Sequence, residues 1–249
     1  MKVFLINLDR RPDRLAEMTE RLNALGLEFE RVSAFDGTMR PTLHLVAWVK
    51  AIIFNNLRLP SAGVIGCYQS HRIVWQRMVD EEILQALIFE DDVLPGDWNS
   101  AILNVEIADH GLDLLRLEAI DFNLKTPLPV GTDFLDSKFY IAQTSGAAAY
   151  IITNVGARKC LSLGKFWVPL DAYDVVSKLT GLKTAIVIPA MWKQSGSVSD
   201  LRAPTHLPST KFENVVSIFA DVLWRMRRPV LRAARRVLVE FEAWKGGLD

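Results

Sequence analysis

Residues 86–95, ALIFEDDVLP, run four apolar side chains straight into three consecutive acids. A short apolar run bounded by charge is the pattern of a strand buried on both faces. Such a strand needs helices above and below its sheet, and the sequence on either side supplies them. VFLINL (3–8) reads as a second buried strand. Residues 11–25 read as a helix: Pro12 suits its first turn, Leu15, Met18, Leu22 and Leu25 recur at helical spacing, and Gly26 closes it. FERVSA (29–34) is a further strand, and helical stretches are predicted near 42–56 and 67–82. DLLRL (113–117), FYIAQ (139–143), AAYIIT (148–153) and TAIVIP (184–189) are predicted strands, with helices over 154–163 and 171–180. Alternating strands and helices predict an α/β domain with a largely parallel, doubly covered sheet.

In such sheets ligands bind at the carboxyl ends of strands, where both NLDRR and EDD fall. Carboxylates at this density repel one another and gain nothing from burial. If the chain stays extended past Phe89, Glu90 and Asp92 share one face, which suits a hard divalent cation. The plain alternative is an acidic turn capping the next element. No Gly-x-x-x-x-Gly-Lys-Ser/Thr loop accompanies the acids, so a Walker-type site is excluded. Arg10, Arg11 and Arg14 stand at a predicted helix N-terminus, where dipole and guanidinium both favour phosphate. Solvated surface arginines are the alternative. Asp36-Gly37 is either a simple turn or an acid placed on a ribose hydroxyl. Arginines, a ribose-seeking acid and a metal-binding acid cluster together describe a site for a nucleoside diphosphate compound.

FLINLDRRPDR, SAFDG, GVIGCYQSHRIVWQRMV and ALIFEDDV, in this order and spacing, resemble the N-terminal half of glycosyltransferase family 25. SGAAAYIITNVGARKCL, PLDAYD and IPAMWKQSGSVSDL fit the same pattern, so the resemblance covers roughly residues 1–200. It implies a GT-A-type, Rossmann-like fold with a mixed, mainly parallel sheet. It also implies a UDP-sugar donor, usually UDP-galactose, and Mn²⁺ dependence with Mg²⁺ as the substitute, with inverting transfer to a glycan hydroxyl. By the resemblance, Glu90, Asp91 and Asp92 form the metal motif, with Asp92 the direct ligand and Glu90 or Asp91 assisting through water or ribose. Asn7, Arg11 and Arg14 would lie near the nucleotide with Asp36, and Ser70 and His71 beside the donor. Gly66 would permit close backbone approach. Cys67 reads as a packing residue, because no base partner is visible in sequence. Inversion needs a base, and Asp171 in VPLDAYD is the expected one. An N-cap for the predicted helix is the alternative reading of Asp171, and Glu118 and Asp200 are substitutes for the base.

The net charge of zero conceals an asymmetry. WRMRRPVLRAARR (224–236) holds six of the 29 Lys and Arg and no acid, leaving an acidic body. RAPTHLPST (202–210) reads as a linker, so the expected division is a domain over 1–205 and a linker and tail over 206–249. On a helical projection Arg225, Arg228, Arg232 and Arg235 form a basic face beside a stripe of Val230, Ala234, Val237, Phe241 and Trp244. This predicts a C-terminal basic amphipathic helix binding an anionic membrane surface through residues 224–245. Docking of that helix on the domain is the alternative, and nucleic acid fits poorly beside an acidic body. The two cysteines and four histidines show no disulfide framework and no zinc pattern. The opening apolar run spans only residues 3–6, too short for a signal core or membrane span. A cytoplasmic enzyme, peripheral on the inner face of the plasma membrane, is therefore expected. It would act on a bacterial lipooligosaccharide or lipopolysaccharide. The competing expectations are a transferase for another UDP-hexose and a non-catalytic nucleotide-binding scaffold on the same fold.

Overall fold

The structure is a computed structural model that describes residues 1–37, 62–118, 128–134, 137–141, 146–164 and 173–195. The predicted helix near 42–56, the candidates Asp171 and Asp200, and the whole tail lie outside them.

The first strand, β1 (Lys2–Asn7), enters the sheet with five of its six residues buried. Helix α1 (Pro12–Ala24) follows, with proline in its first turn and Met18 and Leu22 buried on the sheet-facing side. It stops in a Schellman arrangement: Leu27 N donates to Leu22 O at 2.9 Å while Gly26 takes a φ of +68°, a conformation other residues rarely adopt. Strand β2 (Glu30–Ser33) then pairs parallel to β1. After residue 61 come helix α2 (Ala62–Asp80), β3 (Gln85–Glu90) and β4 (Val93–Pro95). Two short 3₁₀ helices, Ser100–Asn104 and Ile107–His110, lead into β5 (Leu114–Arg116). The remainder is β6 (Leu128–Phe134), β7 (Ser137–Ile141), β8 (Ala149–Thr153), α3 (Asn154–Ser162), α4 (Tyr173–Thr180), β9 (Thr184–Ile188) and β10 (Trp192–Gln194).

The main sheet has the order β2-β1-β3-β8-β5-β9-β7-β6. Only β7 and β8 run against the other six strands, so the sheet is mixed and mainly parallel in direction. The reversed strands interleave, however, so four of the seven neighbouring pairs are antiparallel. Strands pleat, so alternate side chains feed opposite layers. Leu5, Leu87 and Phe89 pack with Met18 and Leu22 of α1 and with Trp192. Phe4, Ile6 and Ile88 pack on the other face with Tyr68, Trp75 and Met78 of α2 and with Ala157 and Cys160 of α3. Each fully buried Phe or Leu in these layers contributes about 2 kcal/mol of transfer free energy. Covering both faces explains why the strands read as unbroken apolar runs.

Candidate active site

The chain passes from β1 to β2 on one side and returns through α2 to β3 on the other side of β1. The strand order therefore switches between β1 and β3. In open α/β sheets that switch opens a crevice at the carboxyl ends of the two strands. Asn7 ends β1 and Glu90 ends β3, with Ile6 paired to Glu90 in register. The apolar runs thus deliver both polar motifs to one place.

The acids do not continue the strand. Asp91 and Asp92 form a turn after Glu90, contrary to the extended segment expected from sequence. That turn separates their roles. Asp91 folds inward: its Oδ2 accepts from Asn7 Nδ2 at 2.7 Å and its Oδ1 from Arg14 Nη1 at 3.1 Å. Asn7 is held further by Arg31, whose Nε donates to Asn7 Oδ1 at 3.0 Å. Asp91, Asn7 and Arg14 are each buried, so this triad fixes the start of α1 against the end of β3.

Asp92 stays beside Glu90. Its Oδ2 lies 3.8 Å from Arg14 Nη1, and its buried Oδ1 has no hydrogen-bond partner among the described residues. Burial raises its pKa to about 6, reinforced by the Glu90 and Asp91 charges and opposed by Arg14. Glu118, just past β5, is wholly buried and joins the same group. Its Oε1 accepts from the Ala148 amide, while Oε2 is buried without a partner among the described residues. Burial, with the Glu90 and Asp92 charges adding to it, pushes Glu118 up to about 8. Two buried carboxylate oxygens without partners among the described residues would be costly in a site built to stay empty. Oxygen donors of this kind fit a hard divalent cation.

The two-stranded β4–β10 ribbon closes this corner. Ser195 N donates to Asp92 O at 2.9 Å and Trp192 N to Leu117 O at 3.0 Å, while Glu118 bridges to Trp192. Trp192 itself packs on Phe89 with ring centroids 4.5 Å apart.

Glu90 faces α2. Its Oε1 lies 2.9 Å from His71 Nε2 and accepts from Cys67 Sγ at 3.2 Å. Burial raises the Glu90 pKa, but His71, Cys67 and Arg14 outweigh it and hold the group below the usual carboxylate range. His71 Nδ1 lies 2.7 Å from Tyr150 Oη, and that oxygen accepts from Trp75 Nε1 at 3.0 Å. Ser70 is turned to the backbone, donating to Gly66 O at 2.7 Å and accepting from Phe35 N at 2.8 Å. It thereby ties α2 to the loop carrying Asp36. Gly66 is required there, because an added Cβ would stand 2.8 Å from Phe35 O and 3.0 Å from Gly37 N. Asp36 accepts from Arg10 Nε at 2.9 Å, and Arg11 pairs with Asp13 at 2.7 Å. Both pairs lie at the rim of the crevice, less buried than the Asp91 triad.

A family profile described as "Glycosyltransferase family 25 (LPS biosynthesis protein)" matches residues 1–176. The chain belongs to glycosyltransferase family 25. The family match takes in every described residue of the crevice from Asn7 to Glu118, and Asp171 besides. Among its relatives, the "Glycosyltransferase 25 family member" of Drosophila melanogaster is 28% identical over 69% of this chain and 30% of its own length. "Procollagen galactosyltransferase 2" of Mus musculus is 36% identical over 37% of this chain and 16% of its own. "Probable inactive glycosyltransferase 25 family member 3" of Bos taurus is 28% identical over 65% of this chain and 28% of its own. The chain thus corresponds to less than a third of the length of these relatives. Among solved structures, A197 from STIV covers 75% of this chain and 81% of its own at 11% identity and a TM-score of 0.38, too distant to weigh here.

Of the residues singled out from sequence, the structure gathers Asn7, Arg14, Ser70, His71, Glu90, Asp91 and Asp92 around one crevice, with Arg11 and Asp36 at its rim. Sequence reading missed that Cys67 and His71, four apart on α2, meet Glu90 as one cluster. The i,i+4 spacing on a predicted helix was the available signal.

Proposed function

We propose that this chain is the donor-binding and catalytic part of an inverting glycosyltransferase with a GT-A-type fold. It would move a hexose, galactose first, from a UDP-sugar to a hydroxyl of a bacterial surface glycan. The observation that carries the proposal is the pairing of Glu90 and Asp92 at the switch point, with Glu118 near enough to feel both charges and with two buried carboxylate oxygens, Asp92 Oδ1 and Glu118 Oε2, without partners among the described residues. The family description as an LPS biosynthesis protein supports the acceptor class, and the mouse galactosyltransferase supports the sugar.

Mn²⁺, or Mg²⁺ in its place, would be held by Asp92 and Glu90 and would act as a Lewis acid on the leaving diphosphate. Glu118, wholly buried, serves as the supporting acid behind that pair and not as a base open to the acceptor. Arg11 would meet the diphosphate, and Asp36 the ribose. Arg14 adds positive charge nearby, and with Asn7 and Asp91 it keeps the acid turn in place. Ser70 and His71 position the loop and Glu90 beside the donor. Asp171 takes the proton from the acceptor hydroxyl as its oxygen bonds to the anomeric carbon and the bond to UDP breaks.

A second reading, a nucleotide-binding scaffold without turnover, draws on the cattle relative named as probably inactive. Donor hydrolysis measured over a panel of UDP-hexoses with Mn²⁺ separates the two. UDP release, fastest from UDP-galactose, is expected; no release from any donor favours the scaffold. The tail over 224–245 is proposed to bind anionic lipid from the cytoplasmic side. The full chain should sediment with anionic vesicles and be released by raised salt, and failure to sediment would refute it.

A further inference from the structure

Cys67, His71 and Glu90 offer a sulfur, a nitrogen and an oxygen that all lie within 4.8 Å of one another. Cys67 and His71 sit four residues apart on α2, so one helix face presents both, and Glu90 reaches them from the end of β3. We infer that these three side chains form a second cation site, selective for zinc-like ions and chemically distinct from the carboxylate site proposed around Asp92.

Three features support it. Thiolate and imidazole strongly favour Zn²⁺ and Co²⁺ over Mn²⁺, Mg²⁺ and Ca²⁺, whereas the all-oxygen donors of Asp92 and Glu118 lack that selectivity and suit the hard ions. Three protein ligands with the fourth position left to water is an ordinary zinc arrangement. His71 also carries the support that a ligating imidazole needs. With the metal on Nε2 its proton sits on Nδ1 and donates to Tyr150 Oη, and the stacked Tyr150 ring, 5.5 Å away between centroids, holds the imidazole in plane. Trp75 Nε1 in turn anchors the Tyr150 oxygen. Loading balances simply: the Cys67 thiol releases one proton to solvent as sulfur bonds the ion, and neutral His71 binds through Nε2 as the tautomer that carries its single ring proton on Nδ1. Cys67 is half-buried, so an ion can reach it. Cys160 does not compete, since burial pushes its thiol up to about 12. Because Glu90 belongs to both sites, an ion held by Cys67 and His71 would draw it from the Asp92 site.

The test uses metal-free full chain titrated with Co²⁺, read by its thiolate-to-cobalt charge-transfer absorption, and with Zn²⁺ in competition with a chelating dye. One equivalent of Co²⁺ should give the thiolate band, Zn²⁺ should remove it, and Mn²⁺ should not. Cys67→Ser should lose the band and weaken Zn²⁺ binding by at least about 100-fold, and Tyr150→Phe should weaken it by about 10- to 100-fold. Asp92→Asn should keep the band, which separates this site from the proposed Mn²⁺ site. In unmutated protein Zn²⁺ should also protect Cys67 from alkylation by iodoacetamide. No thiolate band, unchanged Zn²⁺ affinity in Cys67→Ser, or alkylation indifferent to Zn²⁺ would each overturn the inference.

Discussion

Glu118 gives the sharpest stability prediction. The carboxyl is wholly buried, and its pKa is raised from 4.5 to about 8 in the fold. A raised carboxyl is held protonated by the native state after the unfolded chain has released its proton. Stability contributed by the neutral acid is therefore complete below about pH 4.5 and is lost as pH rises toward 8. Asp92 titrates in a lower window, from 3.8 to about 6, and Glu90 is held ionised throughout. Between pH 6 and pH 8 the two-pKa expression for Glu118 alone gives a loss of about 2 kcal/mol. Urea denaturation of metal-free protein at several pH values would measure it. Glu118→Gln removes the titration, so the difference in stability between wild type and variant should change by about 2 kcal/mol across that interval, in the direction that favours the variant as pH rises. A constant difference between pH 6 and pH 8 would show that Glu118 is ionised in the fold, and the reasoning from burial and neighbouring acids would fail.

Gly66→Ala should cost about 1–3 kcal/mol, because the new methyl meets backbone at Phe35 and Gly37 and neither can swing aside; an unchanged thermal midpoint would contradict the close approach. Asp91→Ala removes one partner each from buried Asn7 and Arg14 and should cost about 3 kcal/mol, the lower end for breaking a buried pair, since Asn7 keeps Arg31 and Asp92 remains 3.8 Å from Arg14. Calorimetry reads it, and a loss below about 1 kcal/mol, the size of an exposed pair, would mean the triad is solvated.

The sequence made the sheet legible wherever burial on both faces left a continuous apolar run, as at residues 3–6, 86–89 and 149–152. Helix α1 was legible because Pro12, the Leu and Met spacing and Gly26 agree. Helix α2 begins at Ala62, five residues before the predicted start, because Gly66 reads as a breaker although it lies within the helix for the sake of a close contact. Strands β4 and β10 are three residues each, too short for any period to show, and β6 carries a proline and a glycine that demote it by pattern. The division of labour in the acid triplet was hidden for a different reason. Which of Glu90, Asp91 and Asp92 turns inward is decided by Asn7 and Arg14, about eighty residues away in sequence, and no local pattern encodes that pairing. Glu118 follows a strand as the triplet does, but a lone acid carries little signal until β8 and β10 are seen packed beside it.

On the proposed function, the crevice between β1 and β3 binds a nucleoside diphosphate through a metal held by Asp92. Titration calorimetry of UDP into wild-type and Asp92→Asn protein, each with and without Mn²⁺, tests it directly. Mn²⁺ should tighten UDP binding at least about tenfold, or 1.4 kcal/mol, in the wild type and leave the variant, still folded, unaffected. UDP affinity that ignores Mn²⁺ in the wild type, or that responds equally in Asp92→Asn, would contradict it.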